Sequence, residues 1–185
     1  HDLLQQQFAT NVFAPLALTQ ATVPLLRAAA TEERPAQVVN IGSVSGILTT
    51  PFSGAYCATK AALHSISDAL RMELAPFGIH VVTVQPGAIQ SKFGDNSLAN
   101  LIKGLKKDSL YLPLKNQMEA RATASQDNPT PAEEFARELI AQLLSKPDDV
   151  IRIGHGSRIL PLIARWLPTS LSDRILSKKF GLNRL

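Results

Sequence analysis

The sequence predicts an α/β fold with a parallel sheet, and three observations carry that prediction. Short β-branched runs occur at 37–41, 79–84 and 150–153. Each is stopped by a glycine or a Pro-Gly pair. Stretches with helical character alternate with them, the arrangement that builds a parallel sheet.

The elements follow in order. Residues 2–29 read as one helix, with Leu4, Phe8, Val12, Leu16 and Val23 near helical spacing. Gln37–Ile41 is a short apolar strand ending at Gly42. Ala55–Ala75 is rich in Ala, Leu and Met, has no internal Gly or Pro, and predicts a long helix ending before Pro76 and Gly78. Ile79–Val84 is a buried strand stopped by Pro86-Gly87. Residues 92–128 are polar and mixed, and predict a helical insertion or lid. Thr130-Pro131-Ala132-Glu133 reads as a capping box with Pro at the first helical position, opening a helix to about Ser145. Val150–Ile153 is the third strand, ended by Gly154. There is no internal repeat and no linker. In such sheets ligands sit at the carboxyl ends of the strands, which directs attention to Gly42-Ser43, Pro86-Gly87 and Gly154-His155.

With 185 residues the chain is long enough for one domain with a real core. Hydrophobic residues make up 45% and charged residues 18%, which excludes a disordered tail. The net charge of +4 is uneven. Residues 151–185 hold seven basic groups and one acid, or +6, and the rest of the chain is at −2. A general nucleic-acid binder would not segregate its charge in this way, so an anionic partner is expected to meet the C-terminal end. The single cysteine, Cys57, excludes an intrachain disulfide and a Cys-based zinc site, and no metal is expected. A cytoplasmic location is the simplest reading. Two stretches lack charge, Leu3–Leu26 and Pro35–Thr59. The first carries Gln5, Gln6, Gln7, Asn11 and Gln20, and the second is broken by Asn40, Gly42, Gly46 and Pro51, so neither reads as a membrane span.

The chemistry concentrates around one pair. Tyr56 and Lys60 are four apart at the start of the long helix and share a face. A phenol of pKa about 10 is a poor proton carrier at neutral pH. An ammonium about 5 Å away interacts with it by roughly 3 kcal/mol at an effective dielectric of about 20. That draws the phenol toward what acid–base catalysis requires. Alone the pair is equally a tyrosine at a helix start and a solvated lysine. Ser43, at the carboxyl end of the first strand, is either a substrate-facing hydroxyl or a turn cap. Asn11 is awkward inside a helix, and Pro15, four residues on, has no N–H for the Asn11 carbonyl. Pro86-Gly87-Ala88-Ile89-Gln90-Ser91 offers open backbone groups and a hydroxyl to a planar polar ligand. Cys57 reads as a packing residue and Asp148-Asp149 as a solvated turn. His64 and His80 have no ligand-like partners, and His155 is a candidate for the substrate mouth.

Together, N-V-F-A-P around Asn11, V-V-N-I-G-S ending at Ser43, Y-C-A-T-K ending at Lys60 and P-G-A-I-Q-S ending at Ser91 resemble the short-chain dehydrogenase/reductase family over residues 2–154. The resemblance implies an NAD(P)-dependent oxidoreductase on the C-terminal part of a Rossmann-type doubly wound parallel sheet. It implies Tyr56 as the acid–base and Lys60 as the residue that binds the nicotinamide ribose and lowers the Tyr56 pKa. Ser43 would bind the substrate oxygen and Asn11 would anchor a relay water. Ile89 and Ser91 would meet the nicotinamide carboxamide, with Pro86 and Gly87 shaping the turn. The family's T-G-x-x-x-G-x-G and N-A-G motifs do not occur in the sequence, so NAD and NADP cannot be distinguished. The chain begins at His1 in helix-like sequence, so N-terminal truncation is expected, and with it an inactive isolated piece.

The expected organisation is a partial oxidoreductase domain over 1–154 and a basic amphipathic tail over 155–185. The expected partner is a small-molecule ketone or secondary alcohol, apolar or lipid-like because the tail looks like that of lipid-, steroid- or retinol-directed members. A homodimer or tetramer is expected through the long helix, where Ala58, Ala62 and Ser65 permit close approach. In the tail, apolar Ile159, Ile163 and Trp166 and basic Arg158 and Arg165 suggest either a cover for the site or a peripheral membrane contact. The rival from another class is a non-catalytic binding or scaffold protein that retains the fold.

Overall fold

The computed structural model describes residues 2–145 and 147–185. Its centre is a parallel sheet of β1 (Ala36–Ile41), β2 (Ile79–Val84) and β3 (Val150–Ile151), in that spatial order. The register pairs Ala36 with Ile79 through Ile41 with Val84, and Thr83 and Val84 with Val150 and Ile151. β2 lies between the other two, and its Val81, Val82 and Val84 are buried. Alternation along β2 sends its side chains to two different cores.

On one face Ile79 and Val81 meet Leu70 and Leu74 of α3 (Gly54–Leu74), with Leu16, Val23 and Leu26 of α2 (Ala14–Ala29) beside them. On the other, Val82 and Val84 join Ile151 and Ile153, against Phe135, Leu139 and Leu143 of α6 (Ala132–Leu144). The result is three layers, helix on sheet on helix. Asn40 is buried in β1, and its amide donates to Ser67 Oγ on α3 at 2.9 Å, fixing the helix against the strand.

The N-terminal helix departs from a single α-helix. α1 (Asp2–Phe8) and α2 are joined by a π-turn over Ala9–Phe13, in which the Ala14 N–H reaches the Ala9 carbonyl. This widened turn lies directly before Pro15, whose ring would clash with the carbonyl four residues back, that of Asn11. Asp2–Ala29 is long and apolar enough to pass a length-and-composition test for a membrane span. Its Leu16, Val23 and Leu26 nevertheless pack on the sheet core, while Leu3, Phe13, Leu18 and Leu25 are exposed.

Two further expectations need correction, and a third holds. The capping box does not form: Pro131 is the N-cap with no side-chain bond, because Thr130 is engaged in a bridge to Ile89. Glu133 and Glu134 still occupy the first turn, where the helix dipole favours them. The third strand is regular only over Val150–Ile151; the chain beyond it stays hydrogen-bonded, Gly87 N–H to the Ile153 carbonyl and Ala88 N–H to that of His155. The 92–128 segment is indeed helical, with α4 (Phe93–Gly104) and α5 (Lys115–Ala122).

After β3 come α7 (Ile159–Trp166) and α8 (Thr169–Lys179). The end of α8 returns to the 92–128 segment. Phe180 is buried and stacks edge-on against Phe52, which also meets Tyr111 edge-on, at centroid distances of 6.2 and 5.9 Å. Phe52 holds φ +64, a left-handed conformation costing a side-chain-bearing residue about 1–2 kcal/mol.

Candidate active site

The carboxyl ends of β1 and β2 are joined by backbone bonds. Gly42 N–H donates to the Val84 carbonyl at 2.7 Å and Val44 N–H to that of Pro86 at 3.2 Å. The turn after β2, holding Pro86 and Gly87, therefore lies against the turn after β1, holding Ser43. A Cβ on Gly87 would collide with the His155 carbonyl, so only glycine lets these chains approach. Ser43 is buried and its Oγ accepts from Ser45 N–H at 3.1 Å, the cap of a short 3₁₀ turn.

Tyr56 and Lys60 lie on the first turns of α3, facing Ser43. Lys60 Nζ is 5.9 Å from the Tyr56 ring centroid and donates to the Ile41 carbonyl at 2.8 Å. Asn11 reaches the same helix. Its amide donates to Thr59 Oγ1 at 3.1 Å, and Thr59, fully buried, donates to the Tyr56 carbonyl at 2.8 Å. The π-turn that carries Asn11 is thus tied to the backbone of the residue expected to do the chemistry. Ile89 and Ser91 are placed farther along the turn after β2. Ile89 is bridged to Thr130, and Ser91 Oγ accepts from Phe93 N–H at 3.3 Å. His155 is exposed beyond β3.

The electrostatics differ from the expectation. Tyr56 is raised above its ordinary value: burial is the largest cause, opposed by the Ser43 hydroxyl and the Arg121 guanidinium. Desolvation of the phenolate outweighs the attraction expected from Lys60, whose ammonium is directed at a backbone carbonyl. Lys60 itself is lowered by burial.

Two site residues escaped the sequence reading. His64 is one turn beyond Lys60, so Tyr56, Lys60 and His64 form an i, i+4, i+8 stripe, and the spacing that singled out the first pair pointed to the third. His64 Nε2 accepts from Ser43 N–H at 3.2 Å, so its proton is on Nδ1. The ring lies where a Cβ on Gly42 or Gly46 would be. Burial first, then the Lys60 charge, depresses its pKa and keeps it neutral. His80 likewise has a partner, Asp149, at 3.0 Å. Arg121, in the last turn of α5, donates from Nε to Thr50 Oγ1 at 2.6 Å and is coupled to both Tyr56 and Cys57. It gave no signal because nothing in the 92–128 segment is periodic.

The donors fit half of a nicotinamide cofactor. Among the described residues Lys60 uses one of its three N–H groups on Ile41, leaving donors for a diol at the mouth of the sheet. The sequence holds no glycine-rich turn to cradle a pyrophosphate. Among the described residues no cluster of His, Cys, Asp or Glu could hold a metal ion.

A family model described as short chain dehydrogenase matches residues 1–101. The uncharacterized oxidoreductase YusZ of Bacillus subtilis is 31% identical over 178 residues, covering 95% of this chain and 62% of that protein. An NADPH-dependent 1-acyldihydroxyacetone phosphate reductase of Saccharomyces cerevisiae is 30% identical over 188 residues, covering 98% and 59%. A solved short-chain dehydrogenase from Streptomyces avermitilis superposes with a TM-score of 0.66 at 27% identity, over 98% of this chain and 63% of that one. The chain thus spans about three fifths of the length of these relatives.

The neutral state of His64 generates a prediction. Its folded pKa lies below the ordinary value of about 6.5. As pH falls below that value the unfolded chain takes up the proton first, so this contribution to stability is complete above about pH 6.5 and is lost as pH falls through the folded pKa. Melting temperature followed from pH 7.5 to 5.5 is expected to drop more steeply in the wild type than in His64→Gln, which keeps an acceptor for Ser43. Equal slopes would remove His64 from this role.

Proposed function

Because the chain belongs to the short-chain dehydrogenase family, we propose that the whole protein is an NAD(P)-dependent oxidoreductase interconverting a ketone and a secondary alcohol. Residues 1–154 supply the catalytic side chains and 155–185 a tail. The observation that carries this reading is the convergence of Ser43, Tyr56 and Lys60 at the carboxyl ends of β1 and β2.

NAD or NADP, when bound, supplies or accepts the hydride. Tyr56 exchanges the proton with the substrate oxygen. Its raised pKa keeps it protonated at neutral pH, which suits the reductive direction, where a donor is needed. Ser43, fixed by His64 and by its own cap, hydrogen-bonds the same oxygen. Lys60, with its remaining donors, would hold the nicotinamide ribose hydroxyls. Asn11 braces the Tyr56 backbone through Thr59 and anchors the relay water. The turn of Pro86, Gly87, Ile89 and Ser91 would receive the carboxamide.

In the whole protein, Tyr56→Phe is expected to lower turnover by about 10²- to 10⁴-fold while cofactor binding, read by nicotinamide fluorescence, persists. Lys60→Ala is expected to impair both. Near-normal turnover in Tyr56→Phe would sink the mechanism. Ala58 and Ser65 stand exposed on α3, which supports self-association through that helix. Light scattering is expected to give two or four times the protomer mass, and a monomer would count against it.

The tail adds a lipid surface as partner. Trp166 is 76% exposed, with Ile159, Leu162 and Ile163 of α7 and Leu171 and Ile175 of α8 also exposed. They stand in a segment of net charge +6, with the Arg165 guanidinium 5.8 Å from the Trp166 ring centroid. Apolar and basic side chains side by side suit anionic headgroups. Trp166 is the single tryptophan, so its emission reports directly. It is expected to shift to the blue with phosphatidylserine vesicles at low salt, and not with neutral ones. An unshifted spectrum with both would remove the membrane contact.

A further inference from the structure

Arg121 is a half-buried cation with an incomplete set of partners. Its Nε donates to the neutral Thr50 hydroxyl at 2.6 Å, and the guanidinium lies beside the Tyr56 phenol and the Cys57 thiol. Among the described residues no carboxylate lies within 4 Å of it; the ion pairs there belong to Arg71, His80 and Lys115. Burial depresses its pKa, and the Cys57 and Tyr56 side chains offset that only in part. A guanidinium offers five donors in a flat fork, and a hydroxyl and a thiol leave most of that fork unanswered.

The position is specific. Arg121 belongs to the last turn of α5, beside Tyr56 and Cys57, and Thr50 to the loop between Ser43 and Tyr56. A substrate whose oxygen meets Ser43 and Tyr56 has its neighbouring group within reach of that fork. Lys60 does not compete, because its ammonium is held at the Ile41 carbonyl.

Resting on the oxidoreductase reading of this site, we infer that Arg121 binds an anionic group next to the reacting carbon, so that the substrate is a carboxylate- or phosphate-bearing ketone or alcohol. The fork matches the oxygens of either anion in a two-pronged bond, which a lysine cannot reproduce. The same charge stands near the Tyr56 hydroxyl and draws its pKa down, so an anion arriving at Arg121 also weakens that pull and leaves the phenol a firmer proton holder.

The test uses the whole protein with two pairs of ketones, acetoacetate with methyl acetoacetate and dihydroxyacetone phosphate with dihydroxyacetone. The readout is the ratio of kcat/KM for the charged member to that for the neutral one. The wild type is expected to favour the charged member of at least one pair, and Arg121→Gln to reduce that ratio about tenfold or more, with Arg121→Lys between. The pair that responds tells carboxylate from phosphate. A ratio unchanged by Arg121→Gln overturns the inference, even where that variant shifts the pH profile, since the arginine then only tunes Tyr56.

A second arm needs no turnover. Acetate and inorganic phosphate are titrated separately into wild type and Arg121→Gln, following melting temperature. A stabilisation by either anion that the variant loses supports the site, and equal shifts overturn it. If the wild type reduces none of the four ketones while the anion arm succeeds, it is the oxidoreductase reading that fails and not the anion site.

Discussion

The site depends on a neutral imidazole seated between two glycines. His64 fills the space that side chains at Gly42 and Gly46 would take, and from there holds the backbone N–H of Ser43. It stands on the same face of α3 as Tyr56 and Lys60. One rigid helix therefore sets the phenol, the ammonium and, through the ring, the serine. Neither partner is free to drift: a protonated imidazole would lose its acceptor, and a Cβ at position 42 would expel the ring. Burial keeps the ring in the required state, so packing and protonation enforce each other.

Around this fixed frame the charges are arranged by desolvation more than by pairing. Tyr56 is raised, and Lys60 and Arg121 are lowered, each with burial as the leading cause. Two cations and a phenol share a half-buried corner without a carboxylate close to either cation among the described residues. Such a corner is electropositive, and an incoming polar molecule has to complete it. The Phe93 ring, 5.1 Å from that of Tyr56 between centroids, covers part of it.

Much of this was legible in the sequence wherever a local signal existed. The bounds of β2 were read to the residue, because Gly78 at φ +70 and Pro86 bracket its β-branched run. The long helix was read to within one residue at each end. Tyr56, Lys60 and Ser43 were found because spacing and strand ends are local properties. What escaped was set by tertiary contact. Thr130 looked like a cap until its backbone was needed beside Ile89. Arg121 is 71 residues from its Thr50 partner, with no periodicity to announce it. The direction of the Tyr56 pKa is not legible in spacing, which reports a neighbour's charge and not the water that both groups lose.

Phe52 has a consequence of a different kind. Its ring is wedged between Tyr111, just ahead of α5, and Phe180, at the end of α8, and its backbone is held in a left-handed conformation. That conformation persists only while both neighbours press on it. The segment ahead of α5 and the last turns of the chain are thereby packed through one ring, although nearly seventy residues separate them. Pulling the C-terminal end away strips one wall from Phe52, lets its backbone relax to an ordinary conformation, and slackens the 47–53 loop that carries the Thr50 anchor of Arg121. Local opening at the tail therefore reaches the 47–53 loop as a loss of order, with no hinge and no rigid-body swing required.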